Sequence, residues 1–250
     1  MKKLFVAGLL LMSFNLFSQD VNVLFKEANN LERSVKEEPA LEKYKQILTL
    51  DPENLQALVK GSELSSAVGG RQADKKVKAD YYNTARNFAE KAVIVDPKSA
   101  DAQYVRALAA SKLAEVEPEN KKAVEYVKDS YTYASKALSI NPNHGRANYL
   151  LGKWHYDMVT QSWAKKAAVK VIFGGIPAAN IEDAFKYMEK CRSLEPYYVQ
   201  NFYDLATAYK FDHKPAKAIE VLNQLVKLPI RTGDDAELKA KGKKLLSEMQ

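Results

Sequence analysis

The sequence has little cysteine, which disulfide-bonded domains need, and little glycine and proline, which are common in the turns of β-sandwiches. Its one cysteine among 250 residues, Cys191, cannot close an internal disulfide, so apolar packing must stabilise the fold. Ten glycines and nine prolines are few for this length, which disfavours a turn-rich β-sandwich and long low-complexity linkers. The remaining composition, 46% hydrophobic and 28% charged, predicts a globular and mainly helical chain.

Residues that build catalytic centres are equally scarce. The three histidines, His144, His155 and His213, have no partner at metal-ligand spacing. The sequence contains no glycine-rich phosphate loop, no His-Glu zinc helix and no cysteine pair. Acidic pairs at Glu37-Glu38 and Asp234-Asp235 lie beside predicted turns and are interpreted as helix caps or solvated surface. We therefore expect no enzymatic activity, no cofactor and no metal.

The net charge of +7 is a modest surplus. The lysines are interleaved with acidic residues and form no arginine-rich stripe, so a nucleic-acid partner is not expected.

One long apolar run stands at the amino terminus. Lys2 and Lys3 precede the run Leu4–Phe17, and Ser18-Gln19-Asp20 follows it. This order is typical of a secretory signal peptide, and about 14 residues are fewer than the ~20 that span a bilayer. Residues 1–19 are therefore predicted to be a cleaved signal that exports the protein to the periplasm or cell envelope of a bacterium. The alternative is an uncleaved membrane anchor.

A dipeptide of an acidic or amide residue and proline recurs along the rest of the chain, at Asp51-Pro52, Asp96-Pro97, Asn141-Pro142 and Glu195-Pro196. Asp and Asn favour helix N-caps and proline favours the first helical position, so each dipeptide is predicted to end one helix and cap the next. Small residues recur at fixed offsets from these prolines, for example Ser62, Ala107, Gly152 and Ala206. Such positions let two antiparallel helices approach closely, which predicts a series of helical hairpins.

These hairpins resemble the tetratricopeptide repeat, a 34-residue helix-turn-helix unit with small residues in these positions and a late proline. The resemblance implies an all-α, right-handed superhelical solenoid of about five hairpins with elongated middle repeats and a C-terminal capping helix. Residues 20–250 are predicted to form this single domain, with repeats at about 21–54, 55–99, 100–144, 145–198 and 199–231 and the capping helix at about 234–249. The tips of the longer hairpins are expected at Gly69–Arg71, Glu117–Asn120 and Gly174–Pro177.

From Ala137 to Leu246 the chain is also similar to the C-terminal helical-repeat domain of the regulator of microtubule dynamics family. The landmarks are Gly152-Lys153-Trp154 on one helix, Trp163 followed by basic and apolar residues, and the turn at Pro177. The family members associated with microtubules are intracellular and eukaryotic, whereas an exported protein would not meet microtubules. The resemblance therefore predicts the fold without microtubule binding.

The concave face of such a solenoid is formed by the first helix of each repeat and usually holds the partner. The predicted groove residues are Tyr104, Arg146, Tyr149, Lys153, Tyr156, Tyr203 and Lys210. Tyrosines offer contact area with a polar tip and basic side chains bind carboxylates, so an extended acidic or C-terminal peptide is the expected ligand. The alternative is that the tyrosines only pack between units.

The insertion 162–177 is a second candidate surface. Trp163, Ala167 and Val171 recur every four residues, as do Ala164, Ala168 and Ile172, and Lys165, Lys166 and Lys170 share the remaining arc. This short basic amphipathic helix could contact an anionic membrane surface or a partner helix. The favoured interpretation is structural, with the apolar stripe folded back onto the fourth repeat.

Two functions follow from these features. The first is a non-catalytic adaptor that binds a protein or peptide on its concave face. The second is a carrier of a lipid-like or amphiphilic ligand in an aromatic-lined groove. The partner's identity and the oligomeric state are left open by the sequence.

Overall fold

A computed structural model describes residues 20–160 and 178–250 of the chain, and the regular structure within them is helical with no strand. The predicted all-α fold is confirmed. Eleven helices follow one another in these residues: α1 (20–33), α2 (Glu37–Leu50), α3 (Leu55–Gly70), α4 (Lys75–Val95), α5 (Ala100–Val116), α6 (Asn120–Ile140), α7 (Gly145–Thr160), α8 (Ile181–Leu194), α9 (Val199–Phe211), α10 (Pro215–Leu225) and α11 (Asp235–Met249).

The helices pack as hairpins that stack in chain order. Within a unit, α3 packs on α4, α5 on α6, α7 on α8 and α9 on α10, and the second helix of each unit also contacts the first helix of the next. The first helices α3, α5, α7 and α9 contact one another in succession, whereas in the described part of the chain successive second helices make no extensive contact. The first helices therefore line the inner, concave side, and the predicted helical-repeat solenoid is confirmed. Helix α11 packs on α9 and α10.

The joints between units differ from the sequence prediction. Asp96 does not cap the following helix. It ends α4, with its N–H donated to Ala92 O, and the side chain of Ser99 caps α5 by accepting from Ala102 N. Proline disfavours helical geometry in the residue before it, which explains the extended φ of −141° at Asp96.

The same joint geometry recurs along the chain. The N–H groups of Asp51, Asn141 and Glu195 likewise donate to the carbonyl four residues earlier. The carboxylate of Asp96 accepts from Lys98 N at 2.9 Å, and the Asn141 side chain accepts from Asn143 N at 3.0 Å. The Asp96 and Asn141 joints are therefore turns through proline that a side chain stabilises, and at all four joints the next helix begins three residues after the proline.

The small residues lie in the seams between paired helices. Ser62, Ala107 and Ala206 are fully buried. A Cβ on Gly152 would lie 2.7 Å from Met188 Cγ and 3.1 Å from Ala184 O, so α7 and α8 could not pack this closely around a larger residue. Helices α4 and α6 have 21 residues each against 14 in α2, which makes the middle hairpins taller than the first.

The two ends of the solenoid touch. Glu37 at the start of α2 forms a 2.6 Å ion pair with Arg71 after α3, and Arg71 also contacts Asp234 at 3.2 Å. Gly233 N donates to Glu37 Oε1 at 3.1 Å across 196 residues of sequence. We call Glu37, Arg71, Gly233 and Asp234 the clasp. The sequence interpretation of Glu37 as a cap or solvated residue was wrong, because only 7% of its surface is exposed.

Candidate partner-binding face

The seven predicted groove residues lie on three first helices, α5, α7 and α9. Tyr104 and Tyr149 are 5% and 8% exposed, so most of their ring surface is already used in packing. The side chains of Arg146 and Lys153 remain 33% and 31% exposed. Tyr156 and Tyr203 are half-buried and Lys210 is exposed. The accessible part of the face is therefore formed more by cations than by the two buried tyrosines.

Tyr149 joins α7 to α9 through a hydrogen bond. Its hydroxyl donates to Asp204 Oδ2 at 2.7 Å, and the same oxygen accepts from Gln200 Nε2 at 2.8 Å. Burial, and then the charge of Asp204, raise the pKa of Tyr149 well above its usual value. The hydroxyl thus stays protonated and holds the carboxylate in place.

Arg146 is held flat against an aromatic ring. Its guanidinium carbon lies 3.5 Å from the centroid of the Tyr198 ring, while its ion pair with Glu195 is long, at 4.0 Å. Burial opposes its charge, but Tyr198, Tyr104, Glu63 and Glu195 together raise the pKa of Arg146. A stacked guanidinium keeps its planar donors in a fixed direction, which suits it to recognition.

Two lysines on neighbouring helices face the same region. Lys112 on α5 pairs with Glu115 at 2.8 Å, and Lys153 on α7 pairs with Asp157 one turn later. Burial opposes the charge of Lys153, but Asp157 and Asp204 more than compensate and raise the pKa of Lys153.

The carboxylate of Asp157 titrates as part of this group. Burial raises the pKa of Asp157, Lys153 opposes that rise, and Asp204 and Glu115 add to it. We call the residues that interact here the central polar cluster: Lys112, Glu115, Tyr149, Lys153, Asp157, Gln200 and Asp204.

The charges on the concave face are therefore mixed. Besides the pairs in the central polar cluster, Lys60 contacts Glu32 at 3.1 Å and Glu63 at 3.4 Å, and Lys210 lies 3.9 Å from Glu248. These lysines already have acidic neighbours, so an acidic peptide would have to displace those neighbours before it could pair with the lysines.

The far end of the face is more aromatic. The rings of Tyr156 and Phe211 meet edge to face with centroids 6.0 Å apart, and Phe211 is 46% exposed. Tyr203 packs against the C-terminal core. The predicted contact residues of the insertion, Trp163, Lys165, Lys166 and Lys170, lie outside the described residues.

Sequence reasoning missed several members of this face, including Lys112, Asp157, Tyr198 and Asp204. Lys112 and Asp157 each stand at the thirteenth residue of a first helix, one helical turn beyond the ninth position that contains Lys153. Extending the same helical face by one more turn would have found both of them. Tyr198 lies just before α9, and its role depends on Arg146 of the previous unit, which no local pattern shows.

The three histidines and the cysteine lie at helix ends or in the buried core. His144 Nδ1 accepts from Ala147 N at the start of α7, and His155 is 4% exposed among aromatic rings. His213 occupies the left-handed region in the turn before α10. Cys191 is fully buried, and burial raises the pKa of its thiol to about 12, so it is a poor nucleophile.

Within residues 20–160 and 178–250, no group of three or more His, Cys, Asp or Glu side chains is arranged to hold a metal ion. No described helix is both long and apolar enough to cross a membrane. Two pockets, of about 220 and 230 Å³, lie away from the central polar cluster and are lined partly by lysine, arginine or glutamate.

Comparisons with known sequences agree with one another. A family model described as regulator of microtubule dynamics protein 1-3 matches residues 24–250. Regulator of microtubule dynamics protein 2 of Mus musculus is 28% identical over 103 residues, which are 41% of this chain and 25% of the mouse protein. Regulator of microtubule dynamics protein 1 of Caenorhabditis elegans is 23% identical over 100 residues, 40% of this chain and 44% of the worm protein. The matched region thus spans less than half of either relative.

Solved structures share the architecture. A thermophilic TPR protein of Thermus thermophilus has a TM-score of 0.64 at 14% identity, covering 91% of this chain and 99% of that protein. PilW, a type IV pilus biogenesis factor, has a TM-score of 0.54 at 16% identity, covering 92% of this chain and 90% of PilW. At such identities the likeness shows the fold.

Proposed function

The chain belongs to the regulator of microtubule dynamics protein 1-3 family, and from that membership and its fold we propose that it is a non-catalytic protein-interaction scaffold. Its ligand is an extended segment of a partner protein held on the concave face, where helical solenoids usually bind. The observation that carries the proposal is the concentration of half-exposed charged side chains around Tyr149 and Tyr198 on this face.

The mixed charge of the face defines the partner segment further. Lys112 and Lys153 offer cations to acidic side chains, while Glu115, Asp157 and Asp204 offer acceptors to basic ones. A segment that carries both signs can exchange each internal pair for an intermolecular one, so that no charge is left unpaired. Charge complementarity of this kind mainly sets specificity and the rate of association.

The test is capture from an extract of the native cells with the full protein as bait. A Lys112→Gln/Lys153→Gln variant should lose the captured partner, whereas the matched control Lys121→Gln/Lys122→Gln at the exposed start of α6 should retain it. Equal capture by both variants would contradict the assignment of the face.

The carrier of an amphiphilic ligand is the competing function. The charge-paired centre of the concave face favours a peptide, because burying a lipid chain against these ions would leave them desolvated. Native mass spectrometry of the gently extracted protein separates the two, since a carrier would retain a lipid-sized mass adduct.

We also propose export to a bacterial cell envelope. Support comes from Lys2, Lys3 and the apolar run that follows them. Microtubule regulation, the activity named for the relatives, is not part of this proposal, because an exported protein would not meet microtubules. Amino-terminal sequencing of the protein from its native cells should begin at Asp20, and a start at Met1 in the cytosolic fraction would contradict the proposal.

A further inference from the structure

The clasp joins parts of the chain that a simple linear solenoid would keep apart. Glu37 and Arg71 belong to the first two units, whereas Gly233 and Asp234 lead into the last helix. Two contacts connect these parts: Arg71 with Asp234 at 3.2 Å, and Gly233 N with Glu37 at 3.1 Å. The 2.6 Å ion pair of Glu37 with Arg71 holds the two residues of the first units together. The first units are thus tied directly to the cap at the opposite end.

The loop that carries the C-terminal half of the clasp is itself fixed. Asp235 is 3% exposed, and its carboxylate accepts from Arg231 N, Thr232 N and the Thr232 hydroxyl at 2.7 to 2.9 Å. A Cβ on Gly233 would lie 2.8 Å from Arg71 Cζ, so a larger residue here would push the Arg71 guanidinium out of its present position. The fit of Arg71 between Glu37 and the loop is therefore specific.

The clasp lies next to the concave face. The hydroxyl of Tyr82 is 3.4 Å from Glu115 of the central polar cluster. Burial, followed by the charges of Glu115 and Asp234, raises the pKa of Tyr82. Tyr82 therefore lies between the clasp and the residues proposed to hold the partner.

We infer that the clasp closes the stacked units into a ring and that its opening gates sideways entry to the concave face. A partner segment with folded regions at both ends cannot thread through a closed ring, so it enters only when the first and last units separate. Arg71 and Asp234 are 29% and 41% exposed, so salt can weaken their attraction and the clasp can open without unfolding a unit.

The first test measures the distance across the clasp and needs no partner. Spin labels are placed at Glu42→Cys on α2 and Lys243→Cys on α11, both exposed, in a Cys191→Ala background. Alanine stands at the equivalent position of two other units, Ala92 and Ala137, so this background should fold. We expect one narrow distance distribution for the parent, and a broader, longer one for Arg71→Gln, for Gly233→Ala and for the parent in 1 M salt.

The matched control is Lys241→Gln, which breaks an exposed pair with Glu237 on α11 without touching the first units. Its distribution should equal that of the parent. If neither clasp variant nor high salt alters the distribution, the ring is not held by these contacts and the inference fails.

The second test measures access to the concave face. A Thr207→Cys variant, again with Cys191→Ala, places a thiol at the half-buried ninth position of α9. We expect Arg71→Gln to speed the reaction of the Thr207→Cys thiol with a polymer-linked maleimide roughly fivefold or more, since about fivefold is the lower end of the usual coupling between two sites. A small maleimide should react at an unchanged rate. Equal acceleration of both reagents, or of neither, would overturn gating.

The inference rests on the proposed function only for the identity of the ligand that enters the ring, which is the partner segment. Because neither measurement uses a partner, the clasp can fail while capture by the concave face succeeds, and the reverse result is equally distinguishable.

Discussion

Two parts of the buried core are built from different residues. The core of the middle units, which we call the alanine-rich core, has alanine at nine of its sixteen buried positions, including Ala92 and Ala137. The core of α8 to α11, the bulky core, has alanine at three of thirteen and is filled by residues such as Phe202, Leu205 and Leu222. The middle helices gain stability by close backbone approach, and the last ones by large side chains. The two cores should therefore fail in opposite ways.

The largest effect is expected from truncation in the bulky core. Leu222→Ala removes a fully buried side chain and leaves a cavity, which should lower the free energy of unfolding by about 2–5 kcal/mol. Urea unfolding followed by circular dichroism measures this. Leu194→Ala, at a position 36% exposed, is the matched control and should cost much less. Equal losses would contradict the distinction between buried and exposed leucines.

Enlargement should damage the alanine-rich core. Ala137→Ile places three extra carbons where α6 packs with no exposed surface, and overpacking of this kind costs about 1–3 kcal/mol. The first unit has Ile47 at the equivalent position, so the penalty comes from close packing rather than from the helix itself.

The control for this enlargement is Ala236→Ile on the exposed first turn of α11, which should lose only a few tenths of a kcal/mol in helix propensity. Tolerance of Ile at residue 137 would show that the alanine-rich core can expand.

A smaller effect should follow from removing one hydroxyl between α7 and α9. Tyr149→Phe keeps the packed ring but deprives Asp204 of a 2.7 Å hydrogen bond, at a cost of about 1–2 kcal/mol. The exposed Tyr197→Phe should be neutral in the same urea assay. No loss at Tyr149 would mean that Gln200 alone satisfies the carboxylate.

The smallest predicted effect concerns pH. His155 packs against Tyr131 of α6 and Tyr187 of α8, and burial lowers its pKa from the usual 6.5, partly opposed by Asp183. Because the folded state disfavours the proton, the contribution of His155 to stability is complete above pH 6.5 and is lost as pH falls below that value. The melting temperature should decline accordingly as the pH falls below 6.5, and His155→Gln should remove this part of the decline. A decline that is the same in both proteins would locate the effect elsewhere.

The sequence predicted the parts of this protein that repeat. Ser62, Ala107, Gly152 and Ala206 are predictable because helix pairing imposes the same small side chain at one offset in every unit. The joint dipeptides were found for the same reason, although Asp96 only ends α4, as predicted, and does not also cap α5. A local cap preference cannot distinguish the end of one helix from the start of the next when proline follows.

The contacts that occur once were not predictable. Asp204 is one of many acidic residues in the sequence, and only the stacking of α7 on α9 brings it to Tyr149. Similarly, Glu37 appeared to be one of two exposed acids beside a turn, and its partner Arg71 lies in another unit. Such pairs depend on the curvature of the whole solenoid, which no short pattern encodes.

The contact between residues 37 and 233 also bears on how the molecule unfolds. In a linear array of repeats each unit is stabilised by its immediate neighbours, so fraying at one end stays there. Here the terminal units are neighbours as well, and the long sequence separation adds a slow, non-local step to folding. Loss of α11 should therefore speed amide exchange at the start of α2, because the two ends of the solenoid then unfold as one cooperative unit.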